Sequence, residues 1–367
     1  MTVPLMDLTA QYAAIKSEID STLLRVLETQ RFILGPEVEA FEKDVKDYLN
    51  VRHAAGCASG TDALLLPLKA LPAAPRSDVI VPSFTFFATA GAVWNAGFRP
   101  VFCDVDPDTF NVTAESIEAV WTERTVAVVV VHLFGQMAPM REILALAKPR
   151  GAFVLEDVAQ AFGASSPEGM AGSVGDAGAC SFFPTKNLGA FGDGGMVVTS
   201  DKELAEEVKK IRVHGGRKMY HHETVGTNSR LDSLQAAILR VKLRYLDSWA
   251  AQRVINASYY TDALSGIDGL RTPKTMDGFA HVYNQYTLKV DRRDELQAHM
   301  KSRGIGSGIY YPVPLHLQQC FNELGGSEGD CPVTEELCRT VLSLPIYPEL
   351  GEEKRAQVGK VVRSFYG

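Results

Sequence analysis

Short apolar segments alternate with helix-like segments between about residue 55 and residue 250. The strand candidates are residues 78–81, 99–104, 126–132, 152–156, 177–182 and 195–199, and helix candidates such as residues 139–148 separate several of them. Nearly continuous apolar strands separated by helices indicate a mostly parallel sheet that helices cover on both faces. The pattern therefore predicts an α/β domain in this part of the chain.

Helical spacing is found on both sides of this pattern. Residues 1 to about 50 carry apolar positions at helical spacing and are predicted to be mostly helical. Ser200 and Glu203 match a capping box, which predicts a helix directly after the last strand candidate. A longer helix is predicted to begin at Ser233 and to link the first domain to a second one.

A different pattern begins near residue 266. It contains strand candidates at residues 286–290 and 305–311 and helix candidates at residues 295–303 and 352–365. This mixture predicts a smaller α+β domain. We place the boundary after residue 250, which gives a large domain of residues 1–250 and a small domain of residues 251–367.

The composition narrows the possible functions. The 367 residues are 46% hydrophobic and 22% charged, which is ordinary for a globular protein of two domains. A net charge of −7 and an isoelectric point near 5.7 argue against a nucleic-acid binder, which would normally carry a basic face. They also give no reason to expect binding to an anionic membrane. We therefore expect neither nucleic acid nor membrane as a partner.

The chain shows the features of a cytoplasmic protein. Its first residues lack a basic segment followed by an apolar stretch, so we expect no signal peptide. The longest strongly apolar stretch, residues 126–133, contains His132 and is too short to span a bilayer. None of the six cysteines forms a CxxC pair, and we interpret them as reduced thiols, most of them small buried residues.

Two polar residues follow strand candidates of the predicted sheet. Asp157 comes after residues 152–156, at the kind of position where α/β proteins contact ligands, although it could equally cap a helix. Lys186 follows residues 177–182 in a glycine-rich segment, where it is either a surface lysine or an amine that burial makes nucleophilic. Since one strand separates them, both side chains could face one cofactor. A carboxylate and an amine suit pyridoxal phosphate (PLP), which needs a protonated ring nitrogen and an amine partner.

Other segments offer phosphate and ring contacts. Residues 58–64 form a small, hydroxyl-rich turn before a predicted helix, and free amides at a helix N-terminus bind phosphate. The same turn could be an ordinary capped helix start, and it is not a P-loop. Phe84, Phe86 and Phe87 could stack on a flat cofactor or pack in the core. Residues 228–232 could bind an anion or cap the helix from Ser233.

In this order the segments resemble the fold type I PLP enzymes, specifically the DegT/StrS-type sugar aminotransferases. The matching segments cover essentially the whole chain and are residues 32–38, 59–64, 156–164, 181–195 and 228–238. Each motif is weak alone, but the ordered set is specific. Val158 stands where the family usually has alanine, which is a small packing change. The resemblance implies a large domain with a mostly parallel, seven-stranded type of sheet between helices, and a smaller C-terminal α+β domain.

The resemblance also implies a role for each matching residue. Lys186 corresponds to the lysine that binds PLP covalently, Asp157 to the partner of the pyridine nitrogen, and Gln160 to the partner of the ring hydroxyl. The other expected cofactor contacts are Gly60, Thr61 and Ser181 at the phosphate, Phe86 on the ring, and Asn228 from a second subunit. The family therefore implies a homodimer with shared active sites, and no metal is expected.

Within the family the chain is similar to UDP-2-acetamido-2-deoxy-3-oxo-glucuronate 3-aminotransferases, through residues 220–222, 225–232, 283–287 and 311–315. The similarity implies amino transfer from L-glutamate to the 3-keto carbon of that sugar, with pyridoxamine phosphate as intermediate, for cell-surface polysaccharide such as O-antigen. Arg230 is then expected to bind the sugar carboxylate. The remaining expected substrate contacts are Tyr310, which replaces a histidine usual in those enzymes, Tyr311 and His316.

Three alternatives remain from the sequence. Aminotransferases that act on dTDP-3-oxo-6-deoxyhexoses share much of the same pattern. A sugar dehydratase on the same scaffold would carry histidine in place of Lys186. A regulatory DNA-binding protein without catalysis belongs to a different class, and the acidic charge argues against it.

Overall fold

The computed structural model describes residues 2–367, and the chain contains two β-sheets of three or more strands. The strands are β1 (His53–Cys57), β2 (Asp78–Pro82), β3 (Arg99–Cys103), β4 (Thr125–Val131), β5 (Phe153–Asp157), β6 (Ser165–Ser166), β7 (Gly169–Met170), β8 (Ala177–Ser181), β9 (Gly195–Thr199), β10 (Leu270–Arg271), β11 (Tyr286–Val290) and β12 (Val341–Leu344). The helices are α1 (Leu8–Thr29), α2 (Pro36–Leu49), α3 (Gly60–Ala70), α4 (Ala88–Asn95), α5 (Ala114–Glu118), α6 (Met140–Ala147), α7 (Lys202–Ile211), α8 (Ser233–Leu243), α9 (Leu246–Ala263), α10 (Arg293–Ser302), α11 (Pro332–Thr340) and α12 (Gly351–Tyr366).

The larger sheet has seven strands in the order β1-β9-β8-β5-β4-β2-β3. Strand β9 runs antiparallel to both of its neighbours, and the other pairs are parallel. The predicted mostly parallel sheet is therefore confirmed. All six strand candidates of this region are present, whereas β1 was not predicted because its sequence, His-Ala-Ala-Gly-Cys, carries no bulky apolar residue.

Both faces of this sheet are buried. Along β4, Val128 and Val130 belong to the core on one face, whereas Ala127 and Val129 belong to the core on the other. Burying a valine side chain stabilises a fold by about 1.5–3 kcal/mol, so each face contributes. Helices on both sides therefore explain why the strands read as continuous apolar segments.

The smaller sheet is antiparallel, in the order β10-β11-β12, and packs with α9, α10 and α12 around a separate core. The prediction of a strand at residues 305–311 was wrong. That segment makes isolated bridges at Ile305 and Gly308, and β12 pairs with β11 instead. The N-terminal segment lies against the backbone near Gly306. A Cβ on Gly306 would lie only 2.7 Å from the amide nitrogen of Leu5.

Two helix boundaries differ from the prediction. The capping box at Ser200 was wrong, since Asp201 caps α7 and accepts from the amides of Glu203 at 2.7 Å and Leu204 at 3.2 Å. The helix that begins at Ser233 ends at Leu243, and α9 starts three residues later. Residue 250 lies inside α9, and the division into domains there stays a prediction.

All six cysteines carry free thiols, as expected, and five of them are buried. Across residues 2–367, no helix combines the length and the apolar character that a membrane crossing requires.

Candidate active site

A cavity of about 600 Å³ lies at the carboxyl ends of β4, β5 and β8. This is the edge of a parallel sheet where ligands bind. Nine of the twelve predicted site residues line it, namely Gly60, Thr61, Phe86, Asp157, Gln160, Ser181, Lys186, Tyr310 and Tyr311. The fold therefore gathers residues from both halves of the chain around one space.

Asp157 ends β5 and is only 5% exposed. Its Oδ2 accepts a hydrogen bond from the Thr89 hydroxyl at 2.9 Å, and its Oδ1 accepts one from the Ala159 amide at 3.1 Å. Burial raises the pKa of this carboxyl group, whereas these two donors and the nearby Lys186 and His132 oppose the rise. A buried, oriented carboxylate of this kind favours a cationic partner in the cavity.

A second carboxylate, that of Glu156, stabilises the end of β5 next to Asp157. The Ala138 amide donates to Nδ1 of His132 at 3.1 Å, so Nε2 of His132 carries the proton and donates to Glu156 at 2.7 Å. The Glu156 carboxylate also accepts from three amides, those of Gly172, Val174 and Gly175. Because the Glu156 carboxylate accepts from His132 and from these three amides, the end of β5 is held firmly in place.

Lys186 lies in the loop between β8 and β9. Its amide donates to the Phe183 carbonyl at 2.9 Å. Its Nζ has no hydrogen-bond partner within residues 2–367. Burial lowers the pKa of the Lys186 ammonium, and Asp157 opposes this effect. The lower pKa increases the fraction of free amine, which is the form that attacks a carbonyl group.

The neighbouring residue connects this loop to the segment before β11. The Asn187 side chain donates to the Val282 carbonyl at 3.1 Å and accepts from the Asn284 side chain at 2.6 Å. These bonds connect the residue next to Lys186 to the segment before β11.

The start of α3 forms an anion cradle. Ser59 accepts from the amides of Asp62 and Ala63, which leaves the Gly60 and Thr61 amides for a ligand. A Cβ on Gly60 would lie 2.5 Å from Cβ of Ser181, so only glycine allows this close approach. Two helix-end amides and a serine hydroxyl therefore meet on one wall, as a bound phosphate requires.

Aromatic rings form another wall of the cavity. The Phe86 side chain is 59% exposed, and its ring centre lies 6.2 Å from that of Tyr311. Gln160 accepts from the Phe134 amide at 2.7 Å and donates to the Tyr311 hydroxyl at 2.9 Å. Phe84, by contrast, is a core residue. The exposed face of Phe86 suits stacking on a flat ring, and Gln160 keeps a second N–H for a ligand.

The structure does not bring three predicted residues to the cavity. Asn228 is exposed and pairs only through its backbone with Val213. Arg230 is half-buried, and its guanidinium has neither an ion pair nor a hydrogen bond in the described part of the chain. His316 is buried, with Nδ1 2.6 Å from the Ser83 hydroxyl and Nε2 3.2 Å from Glu335. His316 therefore connects Ser83 to Glu335 on α11 and does not line the cavity.

Sequence reasoning missed the hydroxyl partner of Asp157. Thr89 and Thr85 lie 3.3 Å apart by their hydroxyl oxygens, and Thr85 lines the cavity. In this segment only phenylalanines were predicted as cofactor contacts. Two threonines four residues apart, one before α4 and one in its first turn, were an available signal. Gln285 and Asp193 also line the cavity and were not predicted.

These features together fit PLP. Asp157 would face the ring nitrogen, the exposed face of Phe86 would lie on the ring, and the Gly60–Ser181 wall would take the phosphate. The start of α3 supports this fit, because glycine at position 60 lets the helix approach Ser181 closely and both residues line the cavity.

Three curated relatives match nearly the whole chain. A Geobacillus stearothermophilus protein named as a pleiotropic regulatory protein is 48% identical and covers 100% of this chain and 99% of its own. A UDP-N-acetyl-3-dehydro-alpha-D-glucosamine 3-aminotransferase from Acidithiobacillus ferrooxidans is 45% identical, covering 98% and 97%. A dTDP-3-amino-3,4,6-trideoxy-alpha-D-glucose transaminase from Streptomyces venezuelae is 42% identical, covering 99% and 96%.

Two solved structures share the fold along the chain. DesV from S. venezuelae, solved with a ketimine intermediate, has a TM-score of 0.97 and 42% identity, covering 100% of this chain and 98% of its own. NtdA from Bacillus subtilis, solved with bound cofactor PMP, has a TM-score of 0.91 and 30% identity, covering 99% and 85%.

The model of one protein family matches residues 13–363, which is nearly the entire sequence. The match includes the ends of β5 and β8 and the start of α3, from which the cavity is built. The chain belongs to the DegT/DnrJ/EryC1/StrS aminotransferase family, whose members depend on PLP.

Proposed function

We propose that this enzyme transfers the amino group of L-glutamate to the 3-keto carbon of a nucleotide-linked sugar, with UDP-2-acetamido-2-deoxy-3-oxo-glucuronate as the first candidate. The observation that carries the proposal is the cavity that holds Lys186, Asp157 and the start of α3 together. The names of the relatives support a nucleotide-sugar substrate. One of them, from Pseudomonas aeruginosa, is named for this glucuronate sugar and is 40% identical, covering 95% of this chain and 96% of its own.

The residues of the cavity divide the chemistry between them. PLP, when bound, supplies an aldehyde that takes up the amino group and a ring that withdraws electrons. The Lys186 amine removes the proton at the α-carbon of the donor and returns a proton on the sugar side. Asp157 keeps a proton on the ring nitrogen. Gln160 and Phe86 orient the ring.

Arg230 supports the choice of a carboxylated sugar. Its guanidinium lies outside the cavity of its own chain, but it is half-buried and has no partner within the described residues, so it is available to a sugar that extends beyond the cavity or that is bound in the site of a second subunit. A guanidinium fork matches a planar carboxylate, and a site built for a charged group discriminates against analogues that lack the charge.

Arg230→Ala is expected to lower kcat/KM for the uronate about 10- to 100-fold, which is the scale of a lost charged hydrogen bond. The value for a neutral 3-keto sugar should change much less, and cofactor affinity should be retained. Arg217→Ala, which removes an exposed arginine, is the matched control. An equal loss with both sugars would mean that Arg230 only supports the fold.

A panel of 3-keto sugars with glutamate as donor tests the proposed function directly. It should contain the UDP-linked uronate, its neutral UDP-linked counterpart and a dTDP-3-oxo-6-deoxyhexose. The dTDP sugar is the second candidate, because the S. venezuelae relative is named for dTDP-sugar transamination. Preference for that sugar would replace the first candidate, and turnover of no sugar would contradict the proposal.

A homodimer with shared active sites is part of the proposal. Asn228 is exposed and lies away from the cavity of its own chain, as a residue that serves a second subunit would. Mixing Asn228→Ala with Lys186→Ala subunits should restore activity, because each hybrid dimer then has one site with both residues. Neither variant alone should show this activity. A fully active monomer in sedimentation at assay concentration would contradict the shared site.

Thr89→Val is expected to lower kcat about tenfold, which corresponds to one hydrogen bond of ~1.4 kcal/mol. Valine keeps the shape of threonine but removes the donor to Asp157, so the carboxylate is less well oriented. Steady-state kinetics at saturating PLP measure the effect. Thr85→Val is the control, since Thr85 contacts Thr89 but not Asp157; an unchanged kcat for Thr89→Val would show that Ala159 alone orients the carboxylate.

A further inference from the structure

Lys242 on α8 is a buried lysine outside the cavity. Its side chain is 1% exposed, and its Nζ donates to the Gly189 carbonyl at 2.6 Å. The same nitrogen lies 4.9 Å from the centre of the Phe191 ring. A buried amine with a single hydrogen-bond acceptor is costly, so its position asks for an explanation.

The groups that Lys242 contacts belong to the loop that carries Lys186. Gly189 comes three residues after Lys186, and a Cβ on it would lie 2.2 Å from the Pro184 carbonyl oxygen. The Ala190 amide donates to the Phe182 carbonyl at 2.8 Å, which closes the loop on the end of β8. A shift at Gly189 would therefore move the backbone of Lys186.

Helix α8 contacts this loop with a second side chain. Gln235 accepts from the Phe191 amide at 2.8 Å through its Oε1. Gln235 and Lys242 are both on α8, and they bond to loop positions two residues apart, Phe191 and Gly189. The loop is thus attached to one rigid helix at two points.

We propose that Lys242 is a positioning residue for Lys186, acting through its hydrogen bond to the Gly189 carbonyl. The effect of this hydrogen bond on catalysis rests on the proposed function of Lys186, whereas its effect on the opening of the loop does not. Without the bond, the Gly189 carbonyl loses its buried donor and the loop opens more often, so the Lys186 amine spends less time correctly placed.

The charge of Lys242 makes this contact depend on pH. Burial lowers the pKa of its ammonium to about 8, and Glu349 opposes the shift. Arg253, Asp7 and Lys242 in turn face Glu349. Opening of the loop hydrates Lys242 and restores its ordinary, higher pKa, so the open loop binds more protons above pH 8. Opening therefore becomes less favourable as the pH rises from about 8 towards the ordinary lysine pKa.

The test is amide hydrogen exchange of residues 183–194 in the full-length holoenzyme, corrected for the intrinsic effect of pH. In the wild type, protection of this loop should increase above about pH 8, by up to about tenfold per pH unit. Lys242→Met should exchange about tenfold faster at neutral pH, should lose the pH dependence, and should lower kcat with little change in KM.

Two further variants separate this effect from general damage. Gln235→Ala removes the second attachment and should also speed exchange, but it should keep the pH dependence because Lys242 is still present. Lys301→Met, at an exposed position of α10, should resemble the wild type. The proposal would be overturned if Lys242→Met showed the exchange rate and the pH dependence of the wild type. It would also be overturned if the faster exchange of this variant were spread evenly over the chain. Mapping the reduced cofactor to another lysine would instead refute the role of Lys186 and leave the loop result intact.

Discussion

Lys186→Ala is expected to lower kcat for amino transfer by roughly 10³-fold or more, because general acid–base catalysis by one side chain contributes about 10²–10⁴-fold. The substitution removes the only proton carrier that we assign at the reacting carbon. Lys186 has no hydrogen bond from its Nζ to other described residues, so alanine leaves few broken contacts. The fold should therefore persist, and single-turnover kinetics with added PLP will measure the loss at the chemical step.

The same assignment predicts where the cofactor is attached. After borohydride reduction and proteolysis, the mass of the pyridoxyl adduct should be on the peptide that contains Lys186. Lys301→Ala, at an exposed site, is the matched control and should retain both the adduct and the activity. An adduct on another lysine, or on none, would show that the cavity is used differently.

Asp157→Asn is expected to retain PLP and to lose roughly 10²–10³-fold in kcat, since a preorganised electrostatic contact of this kind is worth about 3–4 kcal/mol. The carbonyl oxygen of asparagine can still accept from the Ala159 amide at the Oδ1 position, and its NH2 group at the Oδ2 position can donate to the Thr89 hydroxyl, so the side chain keeps two local partners. A neutral amide, however, cannot hold a proton on the ring nitrogen as a carboxylate does. Turnover should be measured with saturating PLP, and a value near wild type would refute the role.

The pH dependence of cofactor binding offers a second measure of this carboxylate. Burial raises the pKa of Asp157 in the protein alone, and a protonated ring nitrogen should lower it again. PLP affinity should therefore fall as the pH is lowered and the carboxyl group takes up a proton. In Asp157→Asn this acidic loss should be absent. Asp193→Asn, which also removes a carboxylate from the cavity wall, is the control.

The cavity depends on supports, most of them buried, that do not line it. His132 and Glu156 hold the end of β5, and Ser83, His316 and Glu335 connect the aromatic wall to α11. Such supports keep the groups around a ligand in place before it binds, and this placement is a large part of what a catalytic site contributes.

Hydrophobic periodicity determined much of this architecture by itself. The apolar strands of the large sheet are buried on both faces, so each of them appears in the sequence as a continuous apolar segment. These segments could therefore be predicted as strands without knowing the tertiary structure. Asp157 and Lys186 were predictable because each follows such a strand, and parallel strands end at one edge. The candidate phosphate site at residues 58–64 was predicted from a hydroxyl-rich turn before a helix, whereas the close approach of Gly60 to Ser181 is visible only in the structure.

Only the tertiary structure decided which side chains complete the site. Thr89 reaches Asp157 across 68 residues, Gln160 reaches Tyr311 across 151, and Ser83 reaches His316 across 233. The adjacent segment of Tyr310 and Tyr311 lines the cavity, whereas His316, a few residues later, is drawn into the wall. Local sequence sets backbone preferences and buried faces, but such long-range pairs depend on how the packed elements are placed, and no local pattern encodes them.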